Sequence, residues 1–180
     1  MSIDAAGFEL HRADVMLSIY QHDPLRGLAL LDQAERGTVK PVHRLSRQLL
    51  RGLCGAAALS CARDGRAQLD TERLRRQVRS TALQLDTRST RGFAHVLEAA
   101  CAIDAGEYEA AARELALAAS KFEELSMSML AAAARRRLGE LSGGQPGRDL
   151  VAAADQVMRA QAVENPDAMT ELLCPGCRSS

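Results

Sequence analysis

The chain contains no tryptophan, only two tyrosines and three phenylalanines, so a core for its 180 residues must be built from aliphatic side chains rather than rings. Neither sign of charge prevails, with lysine plus arginine and aspartate plus glutamate at 23 each. That balance withholds any general attraction to nucleic acid or to an anionic membrane, and neither is expected as a partner. No apolar run approaches the roughly 20 residues of a membrane-spanning helix. Residues 1–20 lack the charged start and apolar centre of a secretory signal, so a cytoplasmic location is the expectation. Runs of β-branched residues that would read as strands are missing too. Gly143-Gly144-Gln145-Pro146-Gly147 has neither the lysine nor the spacing of a nucleotide-cradling loop and reads as a turn.

What remains is 47% hydrophobic and rich in alanine, which suits one all-α domain. The clearest stretch is Gly92 to Leu141. From Tyr108 onward, Ala111, Ala112, Leu115, Ala118, Ala119, Phe122 and Leu125 step by three and four, as one face of a helix must. Glu107, Glu109, Arg113, Glu114, Lys121 and Glu123 fall largely opposite, so this face needs a cover. The preceding helix offers one in Phe93, Val96, Leu97, Ala100, Cys101 and Ile103, with Gly106 at the reversal between the two. Leu115, Phe122 and Leu125 should each contribute about 1.5 to 3 kcal/mol if fully covered.

Weaker versions of the same pattern flank this pair. Residues 1–7 read as a flexible start, followed by a helix from Phe8 to Gln21 with Leu10, Ala13, Leu17 and Tyr20 along one side. Asp23-Pro24 is a cap followed by proline in the first turn, opening a helix to about Arg36 that Gly37 closes. Lys40-Pro41 introduces the next, Val42 to Arg63, striped by Leu45, Leu49, Leu53, Ala56 and Leu59 or Ser60. After a turn at Arg63-Asp64-Gly65-Arg66, a helix from about Leu69 to Leu85 turns Leu74, Val78, Ala82 and Leu85 inward and leaves Arg75, Arg76 and Arg79 free. Met127 to Leu141 carries Leu130, Ala133, Ala134, Leu138 and Leu141, and Ser142-Gly143-Gly144 ends it. Leu150, Val151, Ala154, Val157 and Met158 mark another helix, and Asn165-Pro166 opens a last short one to about Leu173. The breaks at Pro24, Gly65, Gly106 and Gly143 stand 41, 41 and 37 positions apart, a period that speaks for repeated helix pairs.

Ala99, Ala102, Gly106, Tyr108, Ala111, Leu115 and Ala118 resemble the small, small, glycine, aromatic, alanine, bulky, alanine series of a tetratricopeptide repeat. His95 stands where that family favours a large aromatic, and Ser126 or Met127 where a closing proline is usual. The resemblance implies antiparallel helix pairs stacked as an α-solenoid over residues 8–173, about four pairs plus a short C-terminal helix, with residues 174–180 as a flexible tail. A second resemblance covers Ala131 to Gly176, which is similar to the tail closing helical-repeat regions of bacterial, particularly myxobacterial, eukaryotic-type serine/threonine kinases. It implies a docking or regulatory array for a signalling enzyme. No kinase activity is implied, because Asp-Phe-Gly is missing and His11-Arg12-Ala13-Asp14 falls inside an amphipathic helix.

Chemistry is sparse. Cys54, Cys61 and Cys101 fall on inward faces as small hydrophobes. Cys174-Pro175-Gly176-Cys177 has the spacing of half a zinc site or of an exchanging thiol pair, but no second pair or paired histidines accompany it. The pair also follows a helix instead of opening one, which is where a thiol is activated, so an exposed tail is expected. His11, His22, His43 and His95 show no ligand spacing, and no cofactor or metal is expected. Arg44, Arg47 and Arg51 recur at three and four on the first helix of a pair, the helix that lines the inner curve of tetratricopeptide arrays, and are the candidate contact for an acidic protein or peptide partner. Arg75, Arg76, Arg79, Arg135 and Arg136 lack the interleaved aromatics that stack bases. The sequence thus points to a non-catalytic interaction or scaffold module. Two alternatives stay open: a redox- or zinc-responsive regulator using the terminal cysteines, and a homo-oligomeric assembly element.

Overall fold

The computed structural model describes residues 5–36 and 44–178. These hold nine helices and no strand, which agrees with the all-α expectation. They are α1 (Ala5–Tyr20), α2 (Pro24–Arg36), α3 (Arg44–Arg63), α4 (Thr71–Gln84), α5 (Arg91–Asp104), α6 (Tyr108–Glu124), α7 (Ser128–Ser142), α8 (Gly144–Ala160) and α9 (Pro166–Leu173). Of the expected flexible start, Ala5–Gly7 already belong to α1, and residues 1–4 lie outside the described residues, as do Gly37, Lys40-Pro41 and Val42.

Local chemistry explains where the helices begin and end. The Asp23 carboxylate accepts from the Arg26 amide at 3.2 Å, Asp70 from Arg73 at 2.9 Å and the Asn165 side chain from Ala168 at 3.1 Å. Each supplies a partner that a first-turn N–H lacks. Five helix ends share one closing hydrogen bond across six residues, donated by the amides of Asp23, Arg66, Glu107, Met127 and Val163 to the carbonyls of Ser18, Cys61, Ala102, Phe122 and Met158. The residue before each donor is left-handed: Gly65 and Gly106, but also His22, Ser126 and Ala162 at φ near 60°. Only two of these five reversals are therefore marked by glycine in the sequence.

Helices pack within pairs, α1 on α2, α3 on α4, α5 on α6 and α7 on α8, and each second helix also packs on the first helix of the next pair. The first helices α1, α3 and α5 touch in succession, and α9 packs on α7, on α8 and back on α1. The core follows the expected stripes most closely in the middle, where Val96, Leu97, Ala100, Cys101, Ile103, Ala111, Leu115, Ala118, Ala119 and Phe122 are all buried. Phe122 meets Phe93 edge to face with centroids 5.0 Å apart. Alanine and glycine let backbones come close: a Cβ on Gly139 would stand 2.6 Å from the Gly147 carbonyl oxygen, joining α7 to α8.

Three expectations are corrected. Among the described side chains the buried face of α1 is Val15, Ser18 and Ile19, while Leu17 and Tyr20 are exposed, because the contact follows α2, α3 and α9 rather than the most apolar stripe. Gly144 to Gly147 form the first turn of α8 and not a turn between helices. Pro146 is tolerated there, since first-turn amides have no partner within the helix. Finally, Cys174 to Cys177, expected as part of an exposed tail, are buried: Cys174 is 0% and Cys177 1% exposed. Ser179 and Ser180 lie outside the described residues.

Candidate functional site

Two regions gather the residues singled out by the sequence. The first is a cleft of about 310 Å³ between α3 and α4, lined by Arg47, Gln48, Arg51, Gln77, Ser80, Thr81 and Gln84. Arg51 pairs with Asp32 of α2 at 2.8 Å, and Gln48 bonds Gln84 across the cleft. The Arg47 Nε is buried with no hydrogen-bond partner among the described residues. Arg44 opens α3, but its side chain lies outside what is described. The cleft is polar, cationic on its α3 wall and amide- and hydroxyl-bearing on its α4 wall, so it can receive a carboxylate or a backbone carbonyl. It faces α2 and α4. Arg47 and Ala56 are nine positions apart, about half a turn at 3.6 residues per turn, so Arg47 looks away from the α3 face that Ala56 occupies.

That opposite face is the second region, and the chain itself fills it. Residues Cys174 to Arg178 lie against α3 and α5. The Cys177 thiol reaches the Val96 carbonyl oxygen at 3.5 Å, and the Arg63 guanidinium donates to the Arg178 carbonyl at 2.6 Å. Gly176, at φ +75°, sits so close to α3 that a Cβ would be 2.3 Å from the Ala56 carbonyl oxygen and 3.3 Å from the Ala100 methyl. Just before this segment, α9 is clipped to α7 by two arginines. Arg137, 1% exposed, bonds Glu140 on its own helix at 2.6 Å and pairs with Glu171 of α9. Arg136 bonds Asp155 of α8 at 2.8 Å and Asp167 of α9 at 3.0 Å, and also pairs with Glu140. Burial pushes the Arg137 pKa down, but the charges of Glu171 and Glu140 outweigh it and hold the guanidinium protonated.

Burial also governs the thiols. It pushes Cys54, Cys101 and Cys174 up to about 12, and Cys177 well above its ordinary range, with Cys174 beside it adding to the effect. The thiolate is the nucleophile and the metal ligand, so in this arrangement the terminal pair is chemically quiet. No group of three or more histidine, cysteine or carboxylate side chains that could hold a metal occurs among the described residues. His95 bonds Glu114 at 2.7 Å, His22 is exposed at the end of α1, and the side chains of His11 and His43 lie outside the described residues.

The structure corrects the expectation that the α4 arginines are free: all three are paired. Arg75 bonds Asp104 at 2.8 Å, Arg76 and Arg75 both pair with Glu72, Arg79 approaches Glu98 at 3.8 Å and Arg135 pairs with Glu123. Sequence reasoning missed Arg137 altogether, although a signal was present: it falls three positions after Ala134 and four before Leu141, on the inward stripe of α7. No family model, no curated protein and no solved structure matches the chain.

Proposed function

We propose that the chain is a non-catalytic interaction module, a tetratricopeptide-like α-solenoid of four helix pairs that holds a protein or peptide partner in a bacterial serine/threonine kinase signalling system. The packing order carries this reading: each second helix rests on the first helix of the following pair, and the first helices α1, α3 and α5 meet in succession. Such an arrangement offers extended surfaces and leaves binding to the side chains that line them. The repeat-like series from Ala99 to Ala118 and the resemblance of residues 131–176 to the tails of kinase-linked helical repeats support the same reading.

Arg47 and Arg51 at the α3–α4 cleft make an acidic segment the favoured partner. A hydrogen bond to a charged group contributes about 1.5 to 3 kcal/mol, and Arg51 already holds Asp32, so one new bond from Arg47 changes affinity by roughly ten- to a hundredfold. A series of Asp- and Glu-rich fluorescent peptides titrated against the wild-type chain and against an Arg44→Glu, Arg47→Glu, Arg51→Glu variant tests this. Binding that weakens at least tenfold in the variant, with helical content retained, is the expected result. Equal binding by both chains removes the acidic-partner reading.

A further inference from the structure

The face of α3 and α5 that meets residues 174–178 has the features of a binding groove, and so does the way its occupant is held. The occupant is one short helix and the five residues that follow it. An eight-residue helix such as α9 is too short to persist alone, so it depends on docking. The groups that hold it do not depend on it in return. If α9 leaves, Arg137 keeps Glu140, Arg136 keeps Glu140 and Asp155, and Arg63 keeps Ser60. Neither arginine of α7 is stranded without a carboxylate, which is the event that makes breaking a buried pair costly, while Arg63 gives up only the Arg178 carbonyl. The floor is narrow and smooth where Ala56 and Ala100 meet Gly176, and a cavity of about 170 Å³ runs along the seam between α1, α3, Glu171 and Arg178.

We infer that this face is a peptide-binding groove, that the chain's own Pro166–Arg178 segment occupies it as a displaceable competitor, and that its partner carries an acidic residue followed five positions later by a glycine in a small-residue turn. The inference rests on the interaction-module reading above and deepens it by naming the groove and the shape of its ligand. Glu171 and Gly176 set the spacing: the carboxylate finds Arg137, and the left-handed glycine passes the Ala56 carbonyl where any side chain would collide. A partner of that form competes directly with α9 and its extension. When it wins, Cys174 and Cys177 come into solvent, so displacement carries its own reporter.

The test uses the full-length reduced chain, a maleimide reagent and mass mapping of each cysteine. Cys54 on α3 and Cys101 on α5 are exposed only when the core opens. Cys174 and Cys177 should label together and at least tenfold faster than these two. A synthetic peptide of residues 166–178 should accelerate that labelling in proportion to its concentration by trapping the vacated groove, while Cys54 and Cys101 do not respond. In a full-length Gly176→Leu variant, Cys174 and Cys177 should label at the rate of an exposed thiol with helical content retained, and the labelled peptide should bind saturably. Equal labelling rates for all four buried thiols in the wild-type chain overturn the inference. So does a Gly176→Leu chain that exposes its terminal thiols and takes up no peptide, or one that unfolds outright, since the segment would then be integral to the core. None of these outcomes touches the Arg47 and Arg51 cleft, so the broader reading stands or falls separately.

Discussion

Replacing Arg137 with leucine probes the central polar contact of the fold. Its side chain is fully covered and joins α7 to α9 through Glu171, whose side chain is 13% exposed, while Glu140 at 22% serves as its second partner. Leucine fits the apolar surroundings but strands one carboxylate: Glu140 still has Arg136, whereas Glu171 has lost its cation. Removing one member of a buried pair costs about 3 to 5 kcal/mol, and the partial access of Glu171 to water puts the expectation near 3. For a chain of this size that is a fall in Tm of about 6 to 12 °C. Urea unfolding followed by circular dichroism, with an unchanged m value, measures it. The reasoning makes a sharper demand on the double variant. Arg137→Leu with Glu171→Leu removes both charges, so the loss should shrink to about 1 to 2 kcal/mol, well below the sum of the single losses. A single variant within about 1 kcal/mol of wild type, or two losses that simply add, would refute the claim that these groups act as a buried pair.

Two further outcomes follow from named groups. Cys54, Cys101 and Cys174 are raised by burial from the usual 9.0 to about 12, so stability is unaffected below pH 9, then falls towards pH 12 as the unfolded chain releases protons the folded chain keeps. The slope should reach about 1.4 kcal/mol per thiol per pH unit in reductant, and a Cys54→Ala variant whose urea midpoints fall just as steeply between pH 9 and 11 would contradict it. Ala162 is exposed and left-handed at φ 62°, so Ala162→Gly should raise stability by about 0.5 to 1 kcal/mol in thermal unfolding, and a destabilised variant would show that the closing turn after α8 is held by something other than its backbone.

Much of the helix plan was legible because it depends on near neighbours. Pro24 after Asp23 and Pro166 after Asn165 start helices where their chemistry says they should, and most of the stripes of α4, α5 and α6 bury, with Tyr108 left exposed at the start of α6. Local rules gave out at the ends. His22, Ser126 and Ala162 close helices in the left-handed form without the glycine that would have marked them. In α1 the apolar residues Leu17 and Tyr20 lost the core to Val15 and Ile19, a choice made by α2, α3 and α9 and invisible within the helix itself.

The terminal segment shows why the second region was out of reach of the sequence. A Cys-Pro-Gly-Cys stretch after a short helix has every local property of a solvated tail, and its contacts lie 81 and 115 positions away, at Val96 and Arg63. Nothing within a helix turn of Gly176 says that the Ala56 carbonyl will stand where its side chain would be. A segment needed only to fill space would be served by large apolar side chains, each contributing about 1.5 to 3 kcal/mol when buried. The chain instead sets two thiols, a proline and a glycine against a floor of alanines and secures them with carboxylates whose arginines are already paired. Over residues 174–177 that leaves little apolar area in the contact; the larger apolar share comes from Met169, Leu172 and Leu173 of α9, which an exchanging partner has to match.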